Sequence, residues 1–175
     1  MEAEMAKILA GVGAILAALG PLGRGVVGLI GAVLLLVGLI SLADFYGDQA
    51  MRNDAVYWFI FVVIAIIVLA VAFSLGVFSI GALMSGRLFT GGFSLIVFIV
   101  AVVLGWILYL MSARRYRNVM SAMAKRSGES LFETAGTLYY WGAVLTIILV
   151  GLILMLIADI LAGVAFLIMK TPTKT

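Results

Sequence analysis

The residue whose type and position most invite chemistry is Asp159, which stands alone in an otherwise apolar run from Thr137 to Met169. A carboxyl group is costly in hydrocarbon, so an ionisable side chain inside a membrane-length run is by default a functional hypothesis. Its chemistry would be that of a proton carrier or cation ligand, with Ser41, Ser74, Thr146 or a nearby arginine as neighbours. The structural alternatives are a neutral acid hydrogen-bonded between helices and a residue at a local water defect.

A second candidate is basic: Arg114, Arg115, Arg117, Lys125 and Arg126 crowd into thirteen positions. Such a cluster beside an apolar span suits anionic lipid head groups, each charge contributing about 1 kcal/mol at the surface. It also acts as a topology determinant, which is the reading favoured here. Asp44, Asp48 and Asp54 form an acidic counterpart, and ion pairs between the two stretches are expected, each worth about 1 kcal/mol or less at a surface.

Most catalytic chemistry is excluded by what the chain lacks. It contains no Cys and no His, which removes disulfides, zinc fingers, thiol nucleophiles and imidazole bases. Serines and threonines have no base to activate them within a span. Gly76, Gly81, Gly86, Gly91 and Gly92 match no phosphate-binding pattern with a following Lys or Asp and read as a connector. No cofactor or metal is implied, and the chain is read as a non-enzyme.

The elements that must position these residues follow from composition. Sixty-six per cent of the 175 residues are hydrophobic, 11% are charged and the mean hydropathy is +1.32, against about half apolar and a quarter charged for a soluble domain. The charges are clustered, leaving stretches longer than the roughly 18 apolar residues that suggest a span. The net charge of +3 lies beside those stretches, so anionic lipid, not nucleic acid, is the expected partner.

The expected fold is all-α: a polytopic transmembrane helical bundle of about six segments in a single domain over 1–175. The first apolar run, Ile8 to Leu42, is interrupted by Gly20-Pro21-Leu22-Gly23-Arg24-Gly25, a turn signal that makes it a hairpin of residues 6–19 and 26–43. Glu2 and Glu4 offset Lys7 where a signal peptide needs positive charge, so the first segment is read as retained. Ala55 to Phe73 opens with Tyr57-Trp58, a ring pair suited to the head-group interface; this third segment either continues to Met84 or breaks near Gly76. Residues 93–111 form the fourth.

The basic stretch 113–134 follows, with Tyr116, Val119, Met120 and Met123 at i, i+3, i+4 and i+7. That spacing predicts an amphipathic helix along or below the membrane surface. Ser127-Gly128 should end it, and Ser130 to Glu133 has capping-box spacing for a new helix near Leu131. About 50 Å of helix from Thr137 to Met169 would overshoot a core of about 30 Å, so a second hairpin of 137–150 and 152–169 is expected, breaking at Gly151. Ala6, Ala10, Ala14 and Ala18, answered by Gly28 and Ala32, have the four-residue spacing that lets helices approach closely in lipid.

Charge distribution favours this arrangement. With six segments, nine of the eleven Lys and Arg residues share one face, leaving Arg24 and Arg87 opposite. The positive-inside rule then puts both termini in the cytoplasm of a multi-pass cell-membrane protein.

Several stretches resemble an archaeal family of multi-spanning membrane proteins, domain of unknown function 996. They are Gly11-Val12-Gly13-Ala14-Ile15-Leu16 with the Gly-Pro break, Ala43-Asp44-Phe45-Tyr46-Gly47-Asp48, and Leu131-Phe132-Glu133-Thr134-Ala135-Gly136-Thr137-Leu138 running into Gly142-Ala143 and Ile147-Ile148-Leu149-Val150-Gly151. The resemblance implies a membrane protein and supplies no reaction, cofactor or site residue. Asp159 departs from the family pattern, where an apolar residue is expected, which counts against a family-wide ion site.

Two functions are expected from these features. The first is a non-catalytic structural or accessory component, working as a homo-oligomer or with a protein partner in the membrane. The second is a small ion, proton or solute channel or transporter that uses Asp159 and the short first helix.

Overall fold

The computed structural model describes residues 2–20, 25–148 and 150–170. Among them the fold is all-α: α1 (Ala3–Ala18), α2 (Val26–Tyr46), α3 (Gln49–Met84), α4 (Leu88–Ser127), α5 (Leu131–Leu145), a 3-10 segment (Thr146–Ile148) and α6 (Val150–Ile168). Four of these helices, α2, α3, α4 and α6, are long and apolar enough to cross a membrane. The chain is a polytopic α-helical membrane protein. With 16 and 15 residues, α1 and α5 reach about 24 and 22 Å, short of a core of about 30 Å. The turn expected at residues 21–24 lies outside the described residues.

Local chemistry sets the helix ends. Gly47, Gly86 and Gly128 have φ of 66°, 75° and 73° and stop α2, α3 and α4, because the left-handed conformation that terminates a helix favours a residue without Cβ. At the first junction the Asp48 N–H donates back to the Ala43 carbonyl at 2.9 Å, while its carboxylate accepts from the Met51 N–H at 3.0 Å and so caps α3. Tyr46-Gly47-Asp48 is therefore a stop, a reversal and a start.

The junction before α5 differs from expectation. Ser130 has helical φ and ψ, and its side chain makes no cap bond; a capping serine needs extended backbone to turn its hydroxyl toward the first turn. Glu129 takes that place, accepting from the Leu131 N–H at 3.3 Å.

The structure falls into two compact units, Met1–Phe59 with Ala113–Thr175, and Ile60–Ser112.

The first unit contains α1, α2, α5, α6 and the adjoining ends of α3 and α4. Ala6, Ala10, Ala14 and Ala18 are buried, and a Cβ on Gly38 would lie 2.6 Å from the Ala10 backbone nitrogen. Gly13 meets Gly31 and Leu35, and Gly20 meets Gly28, so α1 and α2 run antiparallel at backbone contact. The α2 stripe is therefore Gly28, Gly31, Leu35, Gly38 and Leu42. Ala32, the expected member, is only half-buried, because 3.6 residues per turn carries a strict four-residue stripe off the contact line.

On the other side of α1, Gly11 and Ile15 meet Gly163 of α6. The Lys7 ammonium donates to the Met169 carbonyl at 3.2 Å, closing the end of α6. Gly142 of α5 touches Gly151 and Met155 of α6, and the Phe132 and Phe166 rings meet edge to face at 4.7 Å. Gly151 is thus a helical contact point and not a turn; the α-helix gives way before it, over Thr146–Ile148.

The amphipathic face of α4 also differs from expectation. Tyr116, Val119, Met120 and Met123 are fully buried: Met120 lies against Gly136 of α5 and Tyr116 against Tyr139. Protein, not a lipid surface, satisfies this stripe, since α5 returns antiparallel along it.

The second unit is a helical pair, residues 60–84 of α3 and 88–112 of α4. Its seam is built from small residues: Gly105 against Leu69, Gly76 against Phe98 and Gly91 against Leu83. The buried hydroxyls of Ser79 and Ser94 are hydrogen-bonded at 2.8 Å.

Candidate functional site

Within the first unit, aromatic side chains from three helices form a column. Trp58 of α3 lies 5.3 Å from Tyr116 of α4, centroid to centroid, and Tyr116 lies 4.4 Å from Tyr139 of α5. The column forms because the i, i+3, i+4 face of α4 turns Tyr116 inward. Among the described residues the Tyr116 hydroxyl is buried without a hydrogen-bond partner, an arrangement uncommon enough to need an explanation.

Asp159 adjoins this column. Phe132 opposite Phe166 and Gly142 opposite Met155 fix the α5–α6 register, and that register brings Asp159 level with Tyr139. Asp159 is half-buried and interacts electrostatically with Tyr116. Its expected hydroxyl neighbours are engaged elsewhere: Ser41 donates to Val37 at 2.9 Å, Ser74 to Ala70 at 3.1 Å and Thr146 to Gly142 at 2.8 Å, all backbone carbonyls one turn earlier. Tyr116 is the neighbour that sequence reasoning missed. Its signal was present, since it heads the apolar i, i+3, i+4, i+7 series, but that series gives no partner.

The charged cluster is sorted by helical periodicity. Arg115 donates to Asp54 at 2.7 Å and Arg126 to Asp48 at 3.2 Å. Arg115 also lies over the Tyr57 ring at 5.4 Å. Asp44 pairs instead with Arg52, at 3.5 Å, because the Gly47 reversal returns the chain beside the end of α2. Lys125 lines a cavity of about 600 Å³ with Asp48, Asp54 and Arg126. Arg114 and Arg117 have no acidic partner among the described residues; Arg117 instead lies over the Tyr140 ring at 5.7 Å.

The Asp48 carboxyl is held below its ordinary value, first by the Met51 N–H and then by Arg126, against desolvation that raises it. No group of three or more His, Cys, Asp or Glu side chains able to hold a metal occurs among the described residues.

Apolar helices of spanning length, packed through glycine contacts and aromatic stacking, define a polytopic integral membrane protein. The chain belongs to the family described as "Protein of unknown function (DUF996)", whose model matches residues 27–160. It is similar to the uncharacterized protein MJ1644 of Methanocaldococcus jannaschii, with 27% identity over 175 residues covering 100% of this chain and 97% of the relative. No solved structure matches it.

Proposed function

We propose that this protein is a non-catalytic structural component of the cell membrane that works as an assembly of its own copies. One observation carries the reading. Ser74 and Gly81 of α3, with Ser85 just past its end, are exposed on the side opposite Ala72, Gly76 and Ser79, which are buried in the seam with α4. Nothing lies within 4 Å of a Cβ on Gly81. The Ser74 and Ser85 hydroxyls bond to their own helix, on Ala70 and Gly81, so that this face presents small residues beside the exposed Val77 and Phe78. Small residues at helical spacing let helices approach in lipid, and Gly13, Gly31, Gly38, Gly142 and Gly163 all meet a neighbouring helix within the chain. The α3 stripe awaits a second copy.

The natural absence of cysteine makes the test direct. Gly81→Cys in native membranes is expected to give a disulfide-linked dimer on mild oxidation, while Ile80→Cys, exposed but about a third of a turn away, is not. Monomers in both cases, with a single-copy mass in nanodiscs, would discard the assembly.

The membrane topology in this reading is six segments with both termini in the cytoplasm, which places Glu2, Asp48 and Ser127 on one side and Ser85 on the other. It is favoured by the nine basic residues that then share a face.

A second reading, a small proton or cation pathway at Asp159, draws on the buried Tyr116 hydroxyl, which makes no hydrogen bond among the described residues, and on the α5–α6 register that sets Asp159 level with Tyr139 of the same aromatic column. Flux through reconstituted vesicles that is unchanged by Asp159→Asn would remove it.

A further inference from the structure

We propose that Arg114, Arg117 and Tyr140 form a binding site for a phosphate group at the membrane surface, the phosphate of an acidic lipid head group or free phosphate. The five residues Arg114, Arg117, Asn118, Ser121 and Tyr140 line a cavity of about 500 Å³ between α4 and α5. Positions 114, 117, 118 and 121 follow i, i+3, i+4, i+7 and so share one face of α4. Arg115 and Arg126 face elsewhere and are neutralised by Asp54 and Asp48. The helix thus separates Arg115 and Arg126, which are paired with acids, from Arg114 and Arg117, which make no ion pair among the described residues; Lys125 lines the neighbouring cavity with Asp48 and Asp54, and Asn118 and Ser121 border both cavities.

The chemistry of the second pair suits phosphate. Two guanidinium forks present planar N–H pairs that match phosphate oxygens, and the Asn118 amide and Ser121 hydroxyl add neutral donors on the same wall. Arg117 lies over the Tyr140 ring at 5.7 Å, a cation–π placement that holds the guanidinium near the cavity before a ligand arrives. The nearest acid on the same face of α5 is Glu133, two turns before Tyr140 and about 10 Å away along the axis.

The setting favours the lipid source. Arg114 follows the apolar run 93–111 directly, and Trp141, next to Tyr140, is 53% exposed, as expected of an aromatic side chain at head-group level. The site differs from a diffuse basic surface because one pair of arginines should account for the selectivity.

Full-length protein in nanodiscs of phosphatidylcholine doped with phosphatidylglycerol, examined by native mass spectrometry, tests this. The wild type is expected to retain phosphatidylglycerol roughly tenfold over phosphatidylcholine. Arg114→Gln with Arg117→Gln should bring the ratio close to unity, the corresponding double Lys variant should keep part of it, and Arg115→Gln should keep all of it. Tyr140→Leu, which leaves every charge in place, should lower the ratio severalfold and stands in if the double Gln variant does not fold. Displacement of phosphatidylglycerol by inorganic phosphate assigns the site to free phosphate; resistance to it assigns the site to the lipid. Undiminished selectivity in the double Gln and Tyr140→Leu variants, or an equal loss in Arg115→Gln, would overturn the proposal.

Discussion

At the scale of single residues, the sharpest constraints are the glycines at helix contacts and the junction acid. Gly38→Ala would place a Cβ 2.7 Å from the Ala10 Cβ, closer than two methyl groups can pack, so α1 and α2 must separate. The expected loss is about 1–3 kcal/mol, measurable by reversible unfolding in mixed micelles, whereas Gly81→Ala, whose Cβ would meet nothing within 4 Å, should not lower the monomer's stability. Asp48 carries two separable roles. Asp48→Ala removes the cap on α3 and should cost roughly 1 kcal/mol, whereas Asp48→Asn keeps the cap and removes only the charge. Because the folded carboxyl titrates below its ordinary value of 3.8, its contribution is complete above that pH and is lost as the pH falls through the lower, folded value. The acid limb of a stability-versus-pH curve should therefore be shallower in Asp48→Asn than in the wild type; equal slopes would remove the charge from the account.

At the scale of elements, the expected pieces met partners that spacing alone does not name. The apolar face of α4 was legible as a period, but a period says only that one side avoids water, and lipid and protein satisfy it equally. The return of α5 decided for protein, through Gly136 against Met120 and Tyr139 against Tyr116. Likewise a glycine in an apolar run is open between turn and contact, and Gly151 became a contact because Gly142 stands opposite. In the α3–α4 pair, the Ser79–Ser94 bond is the polar element of an otherwise apolar seam. Alanine substitutions of the two serines in a double-mutant cycle should show a coupling of about 0.6 kcal/mol, the size typical of interhelical hydroxyl bonds in membranes. Additivity would mean that the bond contributes nothing beyond its packing.

At the scale of the whole molecule, charge placement makes topology testable. Single cysteines at Glu2, Ser127 and Ser85 in the cysteine-free chain, probed with a membrane-impermeant maleimide on sealed cells, should label at Ser85 alone. Labelling at Glu2 or Ser127 would discard the shared cytoplasmic face.

The sequence by itself determined the solvent and the helical class, because hydropathy and its period act within a few residues of chain. It also exposed Asp159 and the basic cluster as the positions where charge meets hydrocarbon. What the tertiary structure decided was pairing: which arginines find an aspartate, which line a cavity with Tyr140, and that the Tyr116–Tyr139 column lies at the level of Asp159. Those outcomes depend on residues brought together from distant parts of the chain, and a helical period fixes a side chain's direction without fixing what lies in that direction.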